Sequence, residues 1–136
     1  MGNAADDLAR VDLFAELSGR QRRKLAANFR ERRFGPGTEV VREGETSGLG
    51  FFVVADGEAA VSVGGKEVGR LGAGDHFGAL ALITRSERTA TVTARTELHC
   101  LVIAFPDFRA FAYANADVTW KLLQHLASLV QRAPSG

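Results

Sequence analysis

Apolar residues change their spacing twice along this chain. From Asp6 to Arg33 they cluster as on helices. Leu8, Val11, Leu13, Phe14 and Leu17 make one group, and Ser18 is placed to cap a second helix carrying Leu25, Ala26 and Phe29. From Phe34 to Phe105 the pattern becomes short β-branched and aromatic runs: Glu39–Arg42, Phe51–Ala55, Ala59–Val63, Glu67–Leu71, Ala90–Ala94 and Leu98–Phe105. Between them stand Gly35-Pro36-Gly37, Gly44, Asp56-Gly57, Gly64-Gly65 and Gly72-Ala73-Gly74. Asp-Gly and Gly-Gly pairs between strands signal hairpins, because such turns need positive φ. After Pro106 helical spacing returns through Phe108, Phe111 and Ala112. Asp117 then opens a last helix with Val118, Leu122, Leu123, Leu126, Leu129 and Val130.

These elements predict one domain over residues 1–136, mainly β with flanking helices. Helices fill 6–33, an antiparallel β jelly-roll barrel (a double-stranded β-helix) fills 34–105, and helices fill 106–132. A chain of 136 residues with a hydrophobic fraction of 46% can bury such a core unaided. No internal repeat appears, and no second domain fits the remaining length.

Charge narrows the partners. The net charge of +1 gives no field across the whole chain to attract nucleic acid or an acidic membrane. Arg20, Arg22, Arg23, Lys24, Arg30, Arg32 and Arg33 are concentrated in the first helical stretch. They read as a solvated face, because Glu31 interrupts the run. The single cysteine, Cys100, lies in an apolar run and reads as a buried, inert thiol in a reducing, cytoplasmic setting. No stretch is long and apolar enough to span a bilayer, and no signal sequence is evident. His76, His99 and His125 are scattered, without the spacing of a metal site, so a metal-dependent jelly-roll enzyme is disfavoured. The expectation is no catalysis, no metal and no cofactor.

The segment from Gly74 to Val92 carries the chemistry. Gly78 lets main chain approach a ligand closely. Leu80-Ala81-Leu82-Ile83 is a short helix-forming run whose first N–H groups favour an anion. Arg88 follows, with a guanidinium able to grip a phosphate in bidentate fashion, and Thr89 adds a hydroxyl.

Phe77-Gly78-x-Leu80-Ala81-Leu82, followed by Arg88-x-Ala90-Thr91-Val92, resembles the phosphate-binding cassette of cyclic nucleotide-binding domains. These are the sensors of the catabolite activator protein and of the regulatory subunit of cyclic-AMP-dependent protein kinase. The likeness extends from about Leu13 to Leu126. It takes in Val11-Asp12-Leu13-Phe14, Leu17-Ser18, Phe34-Gly35-Pro36-Gly37, Val41-Arg42-Glu43-Gly44-Glu45, Phe52-Val53-Val54-Ala55-Asp56-Gly57-Glu58 and Leu71-Gly72-Ala73-Gly74-Asp75.

The resemblance implies that Arg88 pairs with the cyclic phosphate. Main-chain amides near Leu80 and Ala81, and the Thr89 amide or hydroxyl, complete that site. Gly78 and Ala79 lie on the ribose side. Typical members carry glutamate where this chain has Ala79, to accept a bond from the ribose 2′-hydroxyl. Losing a bond to a charged group costs about 1.5–3 kcal/mol, so the expectation is weakened affinity. The ligand is then cyclic AMP or cyclic GMP, the former preferred. A family hydroxyl at Thr89 can also favour cyclic GMP.

The implied function is a regulatory sensor module with a protein output partner. The alternative is a degenerate relative that serves as a protein-interaction module. Trp120 or Tyr113 is a candidate lid over the base, or packs the C-terminal helices on the barrel. Leu122, Leu126 and Leu129 have the spacing of a homodimer seam, or cover the barrel mouth. The chain ends without the helix-turn-helix that follows in DNA-binding relatives, so direct nucleic-acid binding is not expected.

Overall fold

Both long apolar runs become strands with protein on both faces, Phe51-Phe52-Val53-Val54 throughout and Leu98–Phe105 only as far as Ile103, because Phe105 opens a helix. The computed structural model describes residues 4–45, 50–78 and 88–132, the side chains of Leu129 and Arg132 excepted. Its strands are β1 (Arg30–Phe34), β2 (Glu39–Val41), β3 (Phe51–Asp56), β4 (Ala59–Val63), β5 (Lys66–Leu71), β6 (His76–Phe77), β7 (Thr91–Ala94) and β8 (Leu98–Ile103). They form two four-stranded antiparallel sheets, in the orders β1-β8-β3-β6 and β2-β7-β4-β5. This strand order is that of a jelly roll. The expected barrel takes the form of two sheets, not one closed hydrogen-bonded ring, among the described residues.

Helices α1 (Ala4–Ala9), α2 (Gly19–Ala26), α3 (Phe105–Ala114) and α4 (Ala116–Arg132), with a single helical turn at Asp12–Phe14, flank the sheets. Alternation along β3 and β8 divides the interior into two cores. Phe52, Val54, Leu98 and Cys100 face the second sheet, where they meet Val40, Val41, Ala59, Val92 and Ala94. Phe51, Val53, Leu101 and Ile103 face the helices, where they meet Leu8, Phe14, Leu25, Phe111, Val118 and Leu122. Phe14 and Phe29 meet Phe51 edge-on, with ring centroids 5.8 and 6.4 Å away. Burial pushes the Cys100 thiol up to about 12, so it is inert near neutrality.

Ser18 caps α2 as the sequence suggested. Its hydroxyl accepts from the Gln21 N–H (3.1 Å), while the Gln21 side chain accepts from the Ser18 N–H (2.9 Å). The helical reading of 6–33 needs one correction. Helix α2 ends at Ala26, and Arg30–Phe34 is strand β1, paired to β8 from Arg30↔Val102 to Phe34↔Leu98. This edge strand is almost wholly exposed, so its Arg-Glu-Arg-Arg sequence shows no apolar alternation. Its partner strand, rather than its own pattern, makes it extended.

The expected last helix is present as α4. Its Leu122 packs into the helix-side core rather than standing at an outer seam, and Leu126 is half-buried. The Leu129 side chain lies outside the described residues.

Candidate functional site

The site assembles where three strand ends meet. Gly50 immediately precedes β3, Gly78 immediately follows β6, and Arg88 comes shortly before β7. Pairing of β3 with β6, Phe52 opposite Phe77 and Val53 opposite His76, brings Gly50 and Gly78 side by side. Pairing of β2 with β7 fixes Arg88 from the other sheet. The Gly44 N–H donates to the Arg88 carbonyl (2.8 Å), and the Arg88 N–H donates to the Glu45 carbonyl (2.9 Å).

Arg88 is 5% exposed and is the buried charged side chain among the described residues. Its Nη2 donates to the Gly50 carbonyl at 2.9 Å. Its Nη1 is buried without a hydrogen-bond partner. Gly78 has φ +92°, and a Cβ there would lie 2.6 Å from both Arg88 Nη1 and the Gly50 carbonyl oxygen. The main chain at Gly78 thus passes directly against the guanidinium, and glycine is what permits it. Burial lowers the Arg88 pKa, and the Glu45 carboxylate opposes that shift. A buried cation with an unused donor is costly, and an arriving anion relieves that cost.

His76, two residues before Gly78, packs 5.3 Å from the Phe51 ring. Burial pushes its pKa below the ordinary value, against the pull of Asp12 and Asp75 and aided by His125.

Sequence reasoning located Arg88 and Gly78, and the structure brings them together. Thr89 is exposed beside Arg88. Ala79, Leu80 and Ala81 lie outside the described residues. Tyr113 and Trp120 are 78% and 60% exposed, and the Arg109 guanidinium stands 5.5 Å from the Tyr113 ring. The contributions of Gly50 and Glu45 were missed. Both reach Arg88 through main-chain carbonyls, which no residue type advertises. Among the described residues no group of three or more His, Cys, Asp or Glu gathers as a metal site. Nor is any helix among them long and apolar enough to cross a membrane.

The fold and this half-satisfied arginine define a jelly-roll domain with a buried, incompletely paired guanidinium where its strand ends meet. Residues 31–115 match the cyclic nucleotide-binding domain, and the chain belongs to that family. The cAMP-dependent protein kinase regulatory subunit of Mycosarcoma maydis is 36% identical over 128 residues, covering 90% of this chain and 23% of that protein. The N-terminal domain of a transcriptional regulator from Streptomyces coelicolor has a TM-score of 0.86 at 27% identity, covering 93% of this chain and 92% of that one. The regulatory domain of Toxoplasma gondii PKA, co-crystallised with cAMP, has a TM-score of 0.77 at 26% identity, covering 96% and 49%. This chain spans from 10% to 29% of the lengths of such curated relatives.

Proposed function

We propose that the chain is a cytoplasmic regulatory sensor module that binds a cyclic nucleotide, cyclic AMP in preference to cyclic GMP, with Arg88 on the cyclic phosphate. The observation that carries this reading is the buried Arg88 guanidinium, with Nη2 on the Gly50 carbonyl and Nη1 unpartnered against Gly78. Nη2 is held in place by protein, which leaves Nη1 for the ligand. Leu80, Ala81 and Thr89 supply main-chain or hydroxyl donors around the same phosphate. Gly78 and Ala79 take the ribose side, and Trp120 or Tyr113 is available to cover the base. Ala79 offers no acceptor to the 2′-hydroxyl, so affinity is reduced by about ten- to a hundredfold. The output is a change in a protein partner, not a chemical reaction.

Isothermal titration with cyclic AMP and cyclic GMP tests the proposal. Cyclic AMP is expected to bind, and Arg88→Lys, which keeps a charge but loses the planar fork, to weaken it more than tenfold with the circular dichroism melt retained. Absence of binding at millimolar nucleotide, or binding indifferent to Arg88→Lys, rejects the proposal. Ala79 favours one other reading, a relative that has lost its ligand and serves as an interaction module. Binding created by Ala79→Glu where the parent has none would establish that reading instead.

A further inference from the structure

His76 stands behind the clamp that holds Arg88. Its ring lies 5.3 Å from that of Phe51, and Gly50, the residue before Phe51, accepts from Arg88 Nη2 at 2.9 Å. In the other direction Phe77 alone separates His76 from Gly78, whose main chain passes against Arg88 Nη1. A Cβ on Gly78 would lie 2.6 Å from the Gly50 oxygen and 3.6 Å from the Phe51 Cα, so the two halves of the clamp touch. Strand β6 has two residues, held by the pairing of Phe52 with Phe77 and of Val53 with His76. A shift of the His76 ring therefore reaches Arg88 through both halves.

The surroundings of His76 are divided. Successive side chains of a strand take opposite faces. Phe77 stacks on Phe52 at 4.7 Å in the core between the sheets, and His76 turns with Phe51 to the helix side. Strand β3 contributes Phe51 and Val53 there, neither of them ionisable. The ionisable neighbours are Asp12 of the single helical turn, Arg10 just before it, Asp75 beside His76 in sequence, and His125 of α4. Arg10 is engaged with Asp7 at 3.7 Å, and Asp75 accepts from the Gly72 N–H at 2.8 Å. A cleft of about 390 Å³ lined by Arg10, Asp12 and Asp75 opens beside His76. A neutral imidazole is at home against Phe51. An imidazolium there is costly to desolvate, and the cleft offers it solvent and two carboxylates instead.

We propose that His76 is a positioning residue for the anion site: neutral, it keeps Gly50 and Gly78 closed on the Arg88 guanidinium, and protonated, it swings toward Asp12 and Asp75 and loosens that grip, so that a phosphate binds more weakly in acid. The choice of cyclic AMP as probe rests on the function proposed above, and the clamp itself does not. One effect has the opposite sign, because a new cation attracts an anion. It is the smaller effect. Two residues of strand put Gly78 about 7 Å from His76. A phosphate beyond Gly78 stands at or past the Debye length of about 8 Å in physiological salt. Asp12 and Asp75 offset the new charge as well. Burial already holds the His76 pKa below its ordinary value. A ligand that needs the clamp closed lowers it further, and each further unit weakens binding in acid by about tenfold.

The clamp is tested first without ligand, by NMR titration of the isotope-labelled full chain from about pH 7.5 to about pH 5, a range that spans histidine ionisation. The Gly78 amide and the Arg88 side-chain N–H signals are expected to move with the same midpoint as the His76 ring protons, and to lose that movement in His76→Gln. Asp12→Asn should lower the shared midpoint and His125→Gln should raise it, because the first neighbour favours the charged ring and the second opposes it. Calorimetric titration with cyclic AMP at both ends of the range is then expected to show binding that is about three- to tenfold weaker in acid for the parent and level for His76→Gln. Gly78 and Arg88 signals that stay still while the His76 ring titrates overturn the proposal. So does cyclic AMP affinity in the parent that is level or rises in acid. Signals that follow His76 in a chain that binds no cyclic AMP at either pH uphold the clamp and reject the cyclic nucleotide reading alone.

Discussion

Arg88 and Gly78 were legible in the sequence because the cassette's chemistry is written in residue types: a fork of donors, and a glycine where main chain must come close. The carbonyl that holds the guanidinium was not legible. Gly50 lies 38 residues from Arg88 and bonds through an atom every residue possesses. The geometry makes Gly78 the sharpest point for mutation. Alanine at φ +92° costs roughly 1–2 kcal/mol in backbone strain. Its Cβ would also have to displace Arg88 Nη1 and the Gly50 oxygen, each 2.6 Å away. Gly78→Ala is therefore expected to lower the calorimetric melting temperature by several degrees, at about 2–4 °C per kcal/mol for a chain of this size. It should weaken nucleotide binding as well. An unchanged melt would show that the turn relaxes freely and that the guanidinium is not held against it.

Among the elements, legibility followed burial. Strands β3 and β8 announce themselves as continuous apolar runs because each is sandwiched between two cores. The hairpin joining β4 to β5 was read from Gly64-Gly65, whose φ values of +61° and +82° are those such a turn requires. Strand β1 escaped because it lies on an edge and buries almost nothing, and β6 because two residues carry no period. Yet β6 does more than complete a sheet, since it delivers His76 into the interface with the helices. Burial outweighs Asp12 and Asp75 and keeps the folded His76 pKa below 6.5. As pH falls through 6.5 the unfolded chain takes up the proton first, so stability is full above that value and declines as acid approaches the folded one. Thermal melts between about pH 7.5 and about pH 5 should fall more steeply for the parent than for His76→Gln. Parallel curves would assign the acid sensitivity to other groups.

For the molecule as a whole, the site and the helices share one strand. Gly50 receives Arg88, and the next residue, Phe51, sits among Phe14, Phe29 and His76 in the helix-side core. Helix α4 is tied to the N-terminal segment through Gln21 and Lys121, and Asn115 before it accepts from Lys24 at 3.0 Å. A ligand that closes on Arg88 therefore acts on a joint that both helical ends press against, which is what a sensor requires. Such a ligand binds the folded chain alone, so its affinity can be read from the melting temperature. Nucleotide at about a hundred times its dissociation constant adds about 2.7 kcal/mol. That raises the melt by roughly 5–11 °C. Restoring the ribose acceptor with Ala79→Glu should add about 1.5–3 kcal/mol more at the same nucleotide concentration, a further rise of roughly 3–12 °C. The gain should appear with cyclic AMP and vanish with its 2′-deoxy analogue, which has no hydroxyl to donate. If Ala79→Glu moves both ligands equally, position 79 does not face the ribose, and the reduced affinity assigned to this chain has another cause.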